Sequence, residues 1–87
     1  MKYKYIEFLK VGTSASGKTS RWICQNINSG DDLGEVVWYG SWRQYCFLPD
    51  EGAIFSADCL ADIQDFLSKA KQLHDELPTH SPGVRDD

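Results

Sequence analysis

Gly12-Thr13-Ser14-Ala15-Ser16-Gly17-Lys18-Thr19, followed by Ser20-Arg21-Trp22-Ile23-Cys24-Gln25-Asn26-Ile27-Asn28, is the stretch that decides how this chain folds. Its first half satisfies G-x-x-x-x-G-K-[ST] at every position. In nucleotide-binding proteins that pattern wraps phosphate oxygens in backbone amides, brings the lysine to the terminal phosphates and holds magnesium on the hydroxyl. The chemistry requires the loop to open a helix whose N-terminus faces the phosphates. The second half has no helical stripe. Trp22 and Cys24 alternate with Ile23, a period of two that predicts a strand, and Asn26 to Asn28 run into turn residues. A strand here makes Gly12–Ser20 a polar hairpin loop and removes the phosphate cradle. No later apolar strand ends in an aspartate that could carry magnesium.

Upstream, Tyr3–Val11 is dense in aromatic and β-favouring residues, with Lys4, Glu7 and Lys10 breaking the apolar run, and predicts a first strand. Arg21–Ile27 is the second. Asn28-Ser29-Gly30-Asp31-Asp32 is a turn cluster. Leu33–Tyr39 is the third strand, Gly40-Ser41 the next turn, and Trp42–Leu48 the fourth strand, with Arg43, Tyr45 and Phe47 on one face. Pro49 ends it, because a residue without an N–H cannot continue a ladder. The period then changes. Ser56 is a suitable N-cap, and Asp58 suits the first turn of a helix. Leu60, Ile63, Leu67, Ala70 and Leu73 or His74 follow at spacings of three and four, flanked by Cys59 and Phe66, which predicts an amphipathic helix ending near Glu76 or Leu77 before Pro78. The expectation is an α+β domain over residues 1–78. It consists of an antiparallel meander of four strands with one C-terminal helix across one face (ββββα), and residues 79–87 form a disordered tail. One helix covers one sheet face; the other face is left for solvent or a partner.

A chain of 87 residues, 41% hydrophobic, holds one domain and buries about 60% of its unfolded surface. That excludes barrel enzymes and two-half dinucleotide folds. The net charge is −4, which opposes non-specific nucleic-acid binding. The charge is uneven: Lys2, Lys4, Lys10, Lys18 and Arg21 face only Glu7 within the first 21 residues, and the other twelve acids lie beyond them. Met1–Lys10 lacks the apolar core of a secretion signal, and no apolar run reaches the ~18 residues a membrane span needs. Cys24, Cys46 and Cys59 are expected to be free thiols in a cytoplasmic protein. With no C-x-x-C and two histidines, no metal site is expected. His74 and His80 offer the cysteines no evident partner, so neither a catalytic residue nor a cofactor is expected.

Trp38-Tyr39-Gly40-Ser41-Trp42-Arg43-Gln44-Tyr45-Cys46-Phe47 packs aromatic residues around one arginine. Part of it must be core. Tyr39, Trp42 and Arg43 are the candidate partner-binding residues, because Trp, Tyr and Arg dominate interface hot spots. Lys10, Lys18 and Arg21 are candidate phosphate or nucleic-acid contacts at the basic end. Asp58, Asp62 and Asp65 make an acidic helix stripe that either faces solvent or meets a basic partner.

The run Trp38–Pro49, with Ile54-Phe55-Ser56 and Cys59-Leu60-Ala61-Asp62-Ile63-Gln64-Asp65-Phe66-Leu67, resembles a group of small uncharacterised bacterial and prophage-type proteins. The resemblance reaches back through Gly17-Lys18-Thr19 and covers about residues 5–70. It implies a stand-alone, phage-borne cytosolic domain; the group carries no assigned activity, and binding and modulating a host protein is expected only by analogy with other small phage proteins. The strand and helix order also distantly resembles sheet-based DNA-binding domains of the integrase and plant types. Their sheets are rich in basic residues, whereas the third and fourth strands here offer Arg43 alone. Sequence therefore favours non-enzymatic binding of a protein partner through the open sheet face and the aromatic strands, an aromatic and arginine sheet surface, with DNA binding through the basic hairpin as the alternative and nucleotide binding third. An exposed apolar sheet face would allow a homodimer.

Overall fold

The computed structural model describes residues 1–14 and 17–75. The elements are β1 (Ile6–Thr13), β2 (Ser20–Asn26), β3 (Asp32–Tyr39), β4 (Gln44–Pro49) and α1 (Ala57–Asp75). The strands form one antiparallel sheet in the order β1-β2-β3-β4. The ββββα architecture expected from the sequence is the one observed. The C-terminal segment 79–87 and the helix end near Glu76 or Leu77 lie outside the described residues.

The stretch after Thr19 is extended. Phe8 pairs with Cys24, Leu9 with Ile23 and Lys10 with Trp22. Val11 is bulged between Lys10 and Gly12, so the strand bends as it enters the loop. At the β2–β3 turn the Asn26 side chain accepts hydrogen bonds from the Asn28 and Ser29 amides at 2.9 and 3.1 Å. Gly30 supplies the positive φ of 77° that this turn requires.

Alternation places Ile6, Phe8, Trp22, Cys24, Val36, Trp38, Tyr45 and Phe47 on the helix side of the sheet. Ile63, Phe66 and Ala70 of α1 close the core over them. Each large apolar side chain buried there stabilises the fold by about 1.5–3 kcal/mol. Ser56 caps α1, its Oγ accepting the Cys59 N–H at 3.2 Å. Removing such a cap costs about 1 kcal/mol.

Three local expectations are corrected. The first strand begins at Ile6, not Tyr3, because Met1–Tyr3 folds back along β1: the Phe8 N–H donates to the Met1 carbonyl and the Tyr3 N–H to the Ile6 carbonyl, both at 2.8 Å. The fourth strand begins at Gln44, not Trp42. Trp42 and Arg43 belong to the turn, whose Arg43 adopts φ 55° and donates its N–H to the Tyr39 carbonyl at 2.8 Å. The buried helix stripe is Ile63, Phe66, Ala70 and His74, with Cys59 and Leu67 beside it, whereas Leu60 and Leu73 are exposed. The stripe is rotated because Phe66, the largest apolar side chain on the helix, stacks on Phe8 and meets Trp22 edge-on.

Candidate functional site

The phosphate-loop lookalike joins two antiparallel strands, and no helix follows it. Three of its described amides are bonded within the loop. Ser14 N–H donates to the Thr19 carbonyl and Gly17 N–H to the Ser14 carbonyl, each at 2.9 Å. Thr19 N–H lies 3.4 Å from Ser14 Oγ, and the Thr19 side chain is buried. In a phosphate cradle such amides would point at the anion instead.

The three basic candidates separate. Lys10 and Lys18 share a cleft of about 360 Å³ between the first hairpin and the last turns of α1, over Trp22 and Leu73. Arg21 lies on the opposite, uncovered face, where its guanidinium pairs with Glu35 at 3.1 Å. That face is largely apolar around this ion pair: Leu9 pairs with Ile23, Ile23 with Glu35, and Val37 with Cys46. A continuous basic track, which phosphate backbones require, is not formed by these residues.

The partner-binding candidates come together at the tip of the β3–β4 hairpin. Tyr39 and Trp42 meet edge-to-face with centroids 4.9 Å apart, although Trp42 is 66% exposed and Tyr39 44%. Edge-to-face pairs are worth about 0.5–1.5 kcal/mol beyond their buried area, so the indole is held in place without being covered. Arg43 is exposed beside them. The acidic stripe does not join this corner. Asp65 accepts the Tyr3 hydroxyl at 2.7 Å and pairs with Lys69 at 2.9 Å on the β1 side of the helix. Lys69 first, then Tyr3, holds its carboxyl below the usual carboxylate range.

The feature that sequence reading missed is a groove between β4 and α1. It has a volume of about 560 Å³ and is lined by Trp42, Gln44, Tyr45, Cys46 and Phe47 from the strand side and Gln64, Leu67, Ser68 and Lys71 from the helix. The backbone phase of β4 follows from one bond. Asp50 N–H donates to the Leu33 carbonyl at 2.9 Å, one step past the Gly34–Pro49 pair. Antiparallel pairs alternate between bonded and non-bonded, so Glu35–Leu48, Val37–Cys46 and Tyr39–Gln44 are the bonded ones. Tyr45 and Phe47 therefore turn their N–H and C=O away from β3, toward the outer edge.

The two sheet edges are treated differently. On β1 the same phase rule, set by the Ile27 N–H on the Tyr5 carbonyl, points Ile6 and Phe8 outward. There the N-terminal segment meets them. Phe8 N–H donates to the Met1 carbonyl, and the Met1 ammonium donates to the Phe8 carbonyl at 2.9 Å. β4 is the other edge, and among the described residues no backbone hydrogen bond reaches Phe47 from outside the sheet.

Cys24 is buried in the core, and burial first, then nearby Cys59, pushes its thiol up to about 12. Cys46 and Cys59 are half-buried, and all three are free. Among the described residues no three His, Cys, Asp or Glu side chains gather as a metal site, and no helix is long and apolar enough to cross a membrane. No protein-family model, curated protein or solved structure matches the chain.

Proposed function

We propose that this chain is a small non-enzymatic binding protein that engages a protein partner through the end of the β3–β4 hairpin, with Trp42 as anchor and Tyr39 and Arg43 beside it. The observation that carries this is Trp42 itself. A tryptophan two-thirds exposed, braced edge-on by Tyr39 at the mouth of a groove, offers a large rigid apolar surface at small entropic cost, as interface hot spots do. Three free thiols fit a reducing, cytoplasmic setting. The net charge of −4 and the pairing of Arg21 with Glu35 weigh against DNA as the ligand.

The test is affinity capture from a bacterial lysate with the wild-type chain, Trp42→Ala and Arg43→Ala, after circular dichroism has shown all three folded. One protein retained by the wild type, lost with Trp42→Ala and reduced with Arg43→Ala, is the expected result. Identical captures by the three chains would contradict the proposal. Retention of nucleic acid in place of protein would redirect it to the Lys10–Lys18 end.

A further inference from the structure

We propose that the uncovered face of the sheet is a homodimer interface. Two copies pack face to face about a twofold axis running across the strands, and Arg21 of each reaches Glu35 of the other.

The helix covers one side of the sheet. On the other side Leu9, Ile23, Val37, Cys46 and Leu48 form a continuous apolar field, with Leu9 42% and Leu48 47% exposed at its edges. A sheet with apolar residues on both faces needs a second layer, and among the described residues none supplies it. Residues 76–87 carry Leu77 and Val84 as their only large apolar side chains besides proline, too few to make one. A second copy brings an identical sheet, and two sheets stack about 10 Å apart with their inner side chains interleaved.

The charges of this face select its own copy. In a twofold interface a patch meets itself, so every charge must find its opposite on the same patch. At the centre Arg21 and Glu35 supply one charge of each sign, already 3.1 Å apart. A partner of either sign finds no net field there, whereas a second copy needs only to exchange the pair. The register shows how. Leu9, Ile23, Glu35 and Leu48 form one row across the strands. Arg21, one step past the Trp22–Val36 pair, lies in the next row with Val37 and Cys46. A twofold axis between these rows exchanges them. It sets Arg21 beside Glu35 of the partner subunit and Leu48 over Cys46 of the partner subunit. The same axis lays the acidic end of the face, where Glu7 and Asp32 flank Gln25, on the Tyr39–Gln44 end of the other copy. An axis along the strands would bring the two acidic ends together, which like charges oppose.

The area sets the strength. The seven residues of β2 make the face about 23 Å long, and four strands make it about 19 Å wide. Two such faces remove about 900 Å² of flat area from water, close to the ~1,000 Å² that a specific interface needs. The dimer is therefore in equilibrium with its monomer and not obligate.

Sedimentation equilibrium of the intact chain from about 10 to 500 µM, a range suited to a small interface, tests this. The wild type should pass from monomer to dimer. Val37→Lys should weaken association at least tenfold, and Trp42→Ala should leave it unchanged. Arg21→Glu and Glu35→Arg should each be monomeric alone, yet an equimolar mixture of the two should dimerise, because both cross-copy pairs are then opposite in sign. The Arg21 and Glu35 side chains are 47% and 30% exposed, and such a pair contributes little to folding, so both variants keep the fold, which circular dichroism checks. A wild type that stays monomeric throughout overturns the proposal. So does a dimer that survives Val37→Lys, which would form at a sheet edge or at the hairpin tip, and so does a mixture that stays monomeric.

Discussion

The Phe8 ring lies flat on the Phe66 ring, with centroids 4.0 Å apart and planes 3° from parallel. This one contact joins the edge strand to the middle of the helix and sets which side of the helix faces inward. Truncating either ring leaves a cavity in the core formed by the described residues. Phe8→Ala and Phe66→Ala should each cost about 3–5 kcal/mol, a large part of the ~5–15 kcal/mol expected for a small domain. Urea unfolding of the single and double variants checks this. The double variant should lose less than the two singles together, because the second truncation removes a ring whose partner is already gone.

Gly34 pairs with Pro49 in the β3–β4 ladder, where a Cβ would come within 2.6 Å of both the Leu48 carbonyl oxygen and the Phe47 ring. The Leu48 carbonyl, part of the backbone, cannot withdraw without disturbing β4. Gly34→Ala should therefore destabilise by about 1–3 kcal/mol, as overpacking does. Gly40→Ala, where a Cβ would meet nothing within 4 Å, is the control and should be close to neutral. Thermal melts of the two variants separate the cases.

The Cys24 thiol is held protonated by burial up to about 12, against an ordinary value of 9.0. An acid whose folded value is raised contributes stability in full below its unfolded value and loses it as pH rises toward the folded one. Between pH 9 and 12 this thiol should remove stability at about 1.4 kcal/mol per pH unit. Cys24→Ala should flatten that alkaline slope while lowering stability at pH 7. In the native chain a thiol reagent at pH 8 should modify Cys46 and Cys59 ahead of Cys24, which should react only as fast as the fold opens.

Lys18 ends a loop whose Ser14 and Gly17 amides are bonded within the loop. Magnesium-ATP at millimolar concentration should leave the amide spectrum of residues 12–20 unchanged, and Lys18→Ala should not alter that result. Saturable shifts confined to this loop and lost in Lys18→Ala would show that it does cradle phosphate.

The sheet was legible because its signals are local. The period of two in Arg21–Ile27, the Asn28–Asp32 turn cluster and the change of period after Ser56 each reside in a few neighbouring residues. What could not be read depended on contacts between distant ones. Nothing near Met1 announces that its ammonium will bond Phe8. The helix pattern fits Leu60 and Leu73 inward as well as Phe66 and His74, and only the Phe8 ring across the core decides. Trp42 reads as a strand residue until the turn is seen to extend to Arg43 with a positive φ. Trp42, Tyr39 and Arg43 were visible as candidates from composition. The groove beside them was not, because it needs the ladder phase of β4 and the position of α1 together.

The central claim is that the β1 edge is closed by the chain's own N-terminus, whereas Phe47 on the β4 edge turns its N–H outward with no backbone partner among the described residues. Amide hydrogen exchange on the dilute, unliganded chain tests it residue by residue. The account predicts slow exchange at Phe8, bonded to Met1, and at Cys46, bonded to Val37, with exchange at Phe47 faster than either by orders of magnitude. A Phe47 amide as protected as that of Cys46 would contradict the account.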